Sequence, residues 1–291
     1  MRKHILAASL ALGLTLTAGL AQAAEIKLAT WNLEWMTARP AGDPALPADV
    51  VPKQPQDLDR LRHYADALDA DVVAFQEVDG PAIAARLFPA DRYALQFIDE
   101  DVVQQVGLAI HRDIPVERNP DVTGLDLYPE ARHKLRDGLD VTLHLPGAAT
   151  LRILAVHLKQ GCQRDTLALS HRPACRMLRA QAEVLKNWIA RRRAENVPFV
   201  VLGDFNRWME GDDDFLATLQ APVPLLRATA GHASPCWGGE RFIDHILAGD
   251  AARDWLRPET LRVLVYRETG DEWRERLSDH CPVSVRLDTP G

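Results

Sequence analysis

Residues 199–208, FVVLGDFNRW, constrain what this chain can fold into more than any other stretch. An apolar run ends at Gly203, and Asp204, Phe205 and Asn206 follow it. A short apolar run closed by glycine reads as a strand buried on both faces, which implies a sheet covered on two sides. Positions i and i+2 of a strand face the same way, so Asp204 and Asn206 are expected to point into one cleft at a strand end, where α/β proteins hold their ligands. An anionic acceptor beside a carboxamide suits a hard metal ion, or a phosphate oxygen next to one. Gly, Asp and Asn are also common turn residues, so this segment by itself fits a turn equally well.

The pattern recurs along the chain. Asn32 and Glu34 follow the apolar run that starts at Ile26, and Gln76-Glu77 ends DVVAFQEV. His157 stands at the end of LRILAV, Asp244-His245 interrupts FIDHIL, and Ser278-Asp279-His280 leads into PVSVRL. Acids and amides at buried strands are costly unless paired or bound to a cation, so a shared site is the economical explanation. His245 directly follows Asp244, faces the other way in a strand and reads as structural. His63 reads as a surface residue of a helix, and His133, His144, His171 and His232 have no motif around them.

The remaining elements are ordinary. Five prolines in residues 37–56 mark a surface loop. Helical spacing is expected over Asp57–Leu68 and about Cys175 to Arg193, with Met177, Leu178, Ala182, Leu185, Trp188 and Ile189 as the apolar face of the second helix. Arg191–Arg193 reads as a solvated helix end, where positive charge suits the helix dipole. Strand candidates are Ile26–Trp31, Asp71–Val78, Tyr93–Phe97, Gly107–His111, Gly138–Leu145, Leu151–Leu158, Phe242–Leu247, Leu261–Tyr266 and Pro282–Leu287. Pro146-Gly147 makes a turn, Pro81 starts a short helix, and Glu210–Asp214 can start another. Strands spread over the whole chain without a linker or repeat, which favours one α/β domain with two sheets.

The first residues stand apart. A basic start, an uncharged apolar run over Ile5–Leu20 and the small-x-small Ala21-Gln22-Ala23 describe a secretory signal peptide over residues 1–23. The mature domain is then 24–291, secreted or periplasmic, without stable membrane insertion. It keeps 32 basic against 41 acidic residues, a net charge of −9. So acidic a chain has no general affinity for polyanions, and attraction to one must be local or metal-borne. Four cysteines in an exported chain imply disulfides. Cys162 and Cys175 bracket a short loop rich in Arg and His, and Cys236 and Cys281 pair by elimination. No CxxC spacing supports a zinc site.

The ordered motifs TWNLEW, FQEV, VHLK, GDFNR, IDHI and SDHCPV resemble the endonuclease/exonuclease/phosphatase superfamily over about residues 25 to 288. Its members include secreted bacterial deoxyribonuclease-like enzymes, lipid phosphodiesterases and phosphatases. The resemblance implies an α/β fold, a four-layer sandwich of two mixed β-sheets flanked by helices. It implies a Mg²⁺ (or Mn²⁺) cofactor held by Glu77, completed or supported by Asn32 and Asp279, with Glu34 a further ligand. His280 would contact the scissile phosphate or activate water, Asp244 would orient it, and Asp204 would position the attacking water or a second metal. Asn206 and His157 would bind the phosphate oxygens. Arg136 matches a position that some members use against the phosphate, and a surface arginine is the other reading; Lys159 and Arg207 carry the same ambiguity.

These parts imply phosphodiester hydrolysis by metal and water, without a Ser or Cys nucleophile. The expected protein is a monomeric nuclease acting on a phosphodiester substrate, nucleic acid first. A sphingomyelinase-like lipid phosphodiesterase or a phosphatase of the same fold is the alternative, with Trp35, Trp237 and Trp273 as candidates for exposure at a membrane. A non-catalytic binding protein would have lost Glu77, Asp204 or His280, and all three are present.

Overall fold

A computed structural model describes residues 24–131 and 134–290. The signal peptide expected over 1–23, and His133, lie outside the described residues. In chain order the strands and helices are β1 (Ala24–Met36), α1 (Pro55–Leu68), β2 (Val72–Val78), α2 (Pro81–Ala84), β3 (Tyr93–Phe97), β4 (Gln105–His111), β5 (Val116–Arg118), β6 (Leu139–His144) and β7 (Thr150–His157). They continue with α3 (Pro173–Ala194), β8 (Phe199–Asp204), α4 (Asp214–Gln220), β9 (Leu225–Arg227), β10 (Asp244–Gly249), α5 (Ala252–Trp255), β11 (Leu256–Val263), α6 (Asp271–Arg276) and β12 (Val283–Thr289).

Two mixed sheets of six strands result, in the orders β11-β12-β1-β2-β4-β3 and β5-β6-β7-β8-β10-β9. Each is built around one parallel pair, β1 with β2 and β7 with β8, flanked by antiparallel neighbours. Alternation decides which residues fill which layer. Leu28, Val72, Leu108, Ile153, Val200 and Ile246 share the core between the sheets. Ala29, Trp31, Val73 and Phe75 point the other way, against α1. Leu154, Val156 and Val201 point against α3 and α4. Burial on both faces is why these strands read as continuous apolar runs, and the four-layer sandwich follows.

Gly203 has no substitute at its position. Its φ is +145°, and a Cβ there would stand 2.0 Å from the Val156 carbonyl oxygen of the neighbouring strand. The glycine thus lets β7 and β8 approach closely just before Asp204.

Several expectations are corrected. The three-residue edge strands β5 and β9 are too short to carry a period. The last hairpin pairs β11 over Leu256–Val263, with an irregularity between Arg257 and Arg262, rather than over 261–266. Arg192 is not solvated: it is buried, lies 5.1 Å over the Trp188 ring and pairs with Glu195. Trp35, Trp237 and Trp273 are all half-buried. Trp237 donates to the Ser278 carbonyl at 3.0 Å, and Trp273 lies between the Arg60 and Arg276 guanidiniums. Among the described residues no helix is long and apolar enough to cross a membrane.

Both cysteine pairs are bonded, Cys162 to Cys175 and Cys236 to Cys281. The first loop is also held from below by Arg207, which is buried rather than phosphate-facing. Its guanidinium donates to the Cys162 and Asp165 carbonyls at 2.9 and 2.7 Å and pairs with Asp213 and Asp214. Asp213 also caps α4 through the Leu216 N–H. Removing one partner of a buried ion cluster leaves stranded charge, so Arg207→Ala is expected to lower unfolding free energy by about 3–5 kcal/mol in urea titrations. A loss below about 1 kcal/mol would show the cluster to be dispensable.

Candidate active site

At one end of the inter-sheet core the inner-face alternation of each strand continues into polar residues. β1 runs Leu28, Thr30, Asn32; β7 runs Ile153, Ala155, His157; β8 runs Val200, Leu202, Asp204. β10 points the opposite way and reaches the same end through Ala248, Ile246 and Asp244. His157 is in register with Asp204, and Asp204 with Asp244, so the three lie abreast on one rung. Residues opposite one another across paired strands share a face.

Glu77 breaks the alternation. It follows inward-facing Gln76 and would point outward, but its φ of +62° turns it back. Glu34 and Trp35 have φ of +41° and +50° where the β1–β2 register shifts between Asn32 and Met36. Left-handed backbone at non-glycine residues costs of order 1 kcal/mol or more each and persists where surrounding contacts fix it. Here the contacts are on Glu77: the Trp35 N–H donates to Oε2 at 3.2 Å, Asn32 Nδ2 to Oε1 at 3.1 Å, and Gln104 Nε2 to Oε2. Asn32 Nδ2 also donates to Asp204 Oδ2 at 3.1 Å, while its Oδ1 accepts the Glu34 N–H. An amide nitrogen between two carboxylates can only be a donor, which fixes the amide orientation. Asn32 therefore ties the two sheets together across the site.

Asp204 accepts three hydrogen bonds, from the Asn206 N–H at 2.7 Å and from the side-chain amides of Asn206 and Asn32, each at 3.1 Å. Asn206 lies past the end of β8, with φ of +52°, so the pair meets through a turn rather than through strand alternation. Its amide is spent on Asp204 and on the Leu158 carbonyl, so it positions Asp204. Burial pushes the Asp204 pKa up to about 7, Asp244 adding to the rise and His280 opposing it.

His280 Nδ1 meets Asp244 Oδ2 at 2.7 Å, and its Nε2 faces Asp204 Oδ2 at 3.9 Å. Burial pulls its pKa down, but the Asp244 charge and hydrogen bond, with Asp279 and Asp204 behind them, outweigh it and hold His280 well above the ordinary histidine value. His157 is the contrast. Burial, then the cations Arg136, His280 and Lys159, hold it well below that value. Its Nε2 faces Glu77 Oε1 at 3.5 Å and Asp204 Oδ2 at 3.7 Å, and its Nδ1 is buried without a partner. His245 bonds Thr229 and the Arg207 carbonyl on the outer side of β10, as its alternation requires.

The last corner comes from loops. Glu34 Oε2 accepts the Asp279 N–H at 2.9 Å and faces Lys53 Nζ at 3.8 Å. Burial, then the Asp279 and Glu77 charges, push Glu34 up to about 7 against the pull of Lys53. Lys53, whose side chain is 1% exposed, also donates to the Glu275 carbonyl. Behind His280, the Tyr266 hydroxyl accepts from Trp31 Nε1 and donates to the His280 carbonyl. The Ser278 hydroxyl donates to the Asn32 carbonyl at 2.8 Å. Sequence reasoning misses Lys53, Gln104 and Tyr266 as site residues: none stands in a motif, Lys53 and Gln104 are polar residues outside the expected elements, and Tyr266 ends an expected strand.

A cleft of about 640 Å³ opens beside Glu77 and His157. Trp35, Tyr128, Lys134, Arg136, Lys159 and Met177 form much of its wall. Arg136 is therefore a cleft residue, bonded to Gln104 and through it to Glu77. Met177 leaves the apolar face of α3 to line the cleft.

The sequence profile of the endonuclease/exonuclease/phosphatase family matches residues 29–280. The chain belongs to this family. No curated protein sequence matches it significantly. Among solved structures, truncated TDP2 from Caenorhabditis elegans is similar at 13% identity and a TM-score of 0.61, covering 91% of this chain and 98% of that one. The 3′ phosphatase NExo from Neisseria, bound to a product DNA hairpin, is similar at 16% identity and a TM-score of 0.57, covering 90% and 99%. TDP2 from D. rerio, in complex with single strand DNA product, gives 15% identity and a TM-score of 0.56, covering 91% and 99%. At these identities the likeness is one of fold.

Members of the endonuclease/exonuclease/phosphatase family are phosphoester hydrolases, generally dependent on a divalent metal. The residues present fit such an ion. Glu34, Glu77 and Asp279 offer only oxygen donors, the kind Mg²⁺ and Mn²⁺ prefer. Burial raises Glu34 to about 7 despite Lys53, with the Asp279 and Glu77 charges adding to the rise, and a bound cation would relieve that repulsion. Of the two acidic groups, it is Asp204, Asp244 and His280 whose ligand atoms lie within 4.8 Å of one another. That group reads better as an ion pair, because Asp244 already holds the imidazole at Nδ1.

Protonation and metal compete for Glu34. Below about 7 the carboxyl keeps its proton in the metal-free protein, and a cation must displace it. Mn²⁺ affinity is accordingly expected to fall as pH drops, by about tenfold at about one unit below that value, and to level off above it. Calorimetric titrations at both ends check this, and equal affinities would contradict it.

Proposed function

We propose that this protein is an exported, Mg²⁺- or Mn²⁺-dependent phosphodiesterase that cleaves nucleic acid by direct attack of water. The observation that carries the reading is the His280–Asp244 pair at 2.7 Å, set against Asp204, which Asn32 and His157 link to Glu77 beside a cleft. The disulfides and the leader-like first residues support export. A chain of this fold from Neisseria is described with a DNA hairpin product, and one from D. rerio with single strand DNA, which supports nucleic acid as the substrate.

The side chains divide the work. Asp204 takes the proton of the attacking water, a task suited to a carboxylate whose pKa is close to neutrality. Asn32 and Asn206 hold its carboxylate in one orientation. His280, charged and steadied by Asp244, presents Nε2–H to an oxygen of the phosphoryl group. His157, neutral, offers a second contact from the other side of Asp204. Glu77, with Glu34, Asp279 and Asn32 around it, would hold the metal. Bound there, the ion supplies polarisation of the phosphoryl oxygen and neutralises the leaving oxygen.

The test is hydrolysis by the purified mature protein of bis-(p-nitrophenyl) phosphate, DNA, RNA and sphingomyelin, with Mn²⁺ and with EDTA. The proposal expects metal-dependent cleavage of the aryl diester and of at least one nucleic acid. Cleavage of sphingomyelin alone would overturn the substrate assignment. Full activity in EDTA would overturn the metal.

A further inference from the structure

The family fold leaves one feature of this chain unused. Between His157 and Arg179 stand Lys159, Arg164, Arg172, Arg176 and Arg179, with Asp165 as the sole acid. The mature chain as a whole carries a net charge of −9, so this is a local reversal of sign. The segment is also held in shape. The Cys162–Cys175 disulfide closes it, Arg207 grips it from below, and the Ala168 N–H donates to Asp214 at 2.9 Å.

Most of its positive charge is not neutralised. Arg172 pairs with Asp165. Arg176 donates to the His171 carbonyl and Arg179 to the Leu167 carbonyl, which carry no formal charge. Arg164 lies over the Trp208 ring at 5.9 Å. Among the described residues, Arg164, Arg176 and Arg179 face no carboxylate within ion-pair distance. Leu169 at the tip is 76% exposed.

This loop adjoins the catalytic cleft at both of its ends. Lys159 and Gln160 before it and Met177 after it are cleft residues, as are Glu77 and His157 at the reaction centre. Lys134 and Arg136 bring positive charge to the same cleft, and the Trp35 and Tyr128 rings line it among prolines and valines. Cations along a groove with aromatic faces inside it are what an unpaired strand requires: backbone phosphates pair with the cations and bases stack on the rings. A duplex keeps its bases inside and needs a broad basic face instead, which a chain this acidic does not offer. A lipid headgroup or small phosphoester would fill the reaction centre and leave the stapled loop without a role.

We propose that the substrate is single-stranded nucleic acid, which runs from the reaction centre along the cleft onto the disulfide-stapled loop 162–175. This rests on the nuclease reading above and narrows it. Binding without cleavage can be measured in EDTA by fluorescence anisotropy. The probe is a fluorescein-labelled, mixed-sequence deoxyoligonucleotide of about 12 nucleotides, within the site sizes common for such grooves. The single strand is expected to bind at least tenfold tighter than the same sequence as a duplex, and tighter than phosphatidylglycerol vesicles. The double variant Arg164→Gln, Arg176→Gln should weaken it about tenfold and flatten its log–log salt dependence by about 1.4, the share of two phosphate contacts on a single strand. Tyr128→Ala should weaken it at least fivefold with the salt slope kept, as loss of one stacking face requires.

Equal affinity for duplex and single strand, preference for vesicles, or a double variant that binds and responds to salt like the parent would each overturn the proposal. Metal-dependent hydrolysis of bis-(p-nitrophenyl) phosphate separates this failure from that of the catalytic reading. If the aryl diester is cleaved while the oligonucleotide results fail, the track alone is wrong. If no phosphodiester is cleaved, the catalytic reading falls with it.

Discussion

Replacing His280 by alanine is expected to lower turnover of phosphodiesters by about two or more orders of magnitude, the usual scale for a positioned proton-handling group. The expectation rests on geometry. Nδ1 is committed to Asp244 at 2.7 Å, which leaves Nε2 directed at Asp204 and the reaction centre. The charge matters as much as the position. Asp244, Asp279 and Asp204 together overcome the effect of burial and keep the ring protonated around neutral pH. Asp244→Asn should therefore preserve the fold and still lose activity, because an amide supplies no charge to hold the imidazolium and burial then favours the neutral ring. Its pH profile should move with it, the active form now being lost at a lower pH than in the parent. His245→Gln is the matched control. That ring is buried on the outer side of β10, bonded to Thr229 and the Arg207 carbonyl, and burial has already pushed its pKa down to about 3. Its replacement should cost thermal stability and spare turnover. An inactive His245→Gln beside an active His280→Ala would reverse the assignment.

Glu77→Gln is expected to be at least as damaging, lowering kcat/KM by about three orders of magnitude while the chain still folds. A bound metal contributes several kcal/mol of transition-state stabilisation, and Glu77 is the carboxylate proposed to hold it. The protein holds that carboxylate with the Trp35 N–H, Asn32, Gln104 and a left-handed backbone. The amide keeps the volume and one acceptor oxygen but removes the charge that a hard cation needs. Two readouts should change together: hydrolysis, and the rise in melting temperature that Mn²⁺ is expected to give the parent. A variant that is inactive but binds Mn²⁺ like the parent would place the metal elsewhere, with the Asp204, Asp244 and His280 group as the next seat to test.

Much of this arrangement is legible in the sequence because it is written in alternation. The inner-face series Leu28-Thr30-Asn32, Ile153-Ala155-His157 and Val200-Leu202-Asp204 can be followed residue by residue. Polar residues at the ends of buried strands mark the group without knowledge of any contact. The same rule misleads at two points. Glu77 would face outward by alternation, and only its positive φ brings it in. Asn206 reaches Asp204 through a turn, not by strand period.

Residues held by loops were not legible at all. Lys53 comes from the proline-rich stretch, where it meets Glu34 and reaches the Glu275 carbonyl far along the chain. Gln104 precedes β4 and owes its role to Arg136 and Glu77, neither of them near it in sequence. Arg192 and Arg207 show the complementary failure, since charge in the sequence suggested solvent or phosphate and the fold supplied protein partners. Charge alone does not say whether a partner is water, ligand or protein.

Direct water attack is the central claim, and the stereochemical course at phosphorus tests it most directly. With a phosphorothioate diester of defined configuration hydrolysed in water carrying heavy oxygen, and Mn²⁺ present, a single in-line displacement by water predicts inversion at phosphorus. Net retention would mean two displacements through an enzyme side chain, and would contradict Asp204 as the base for water.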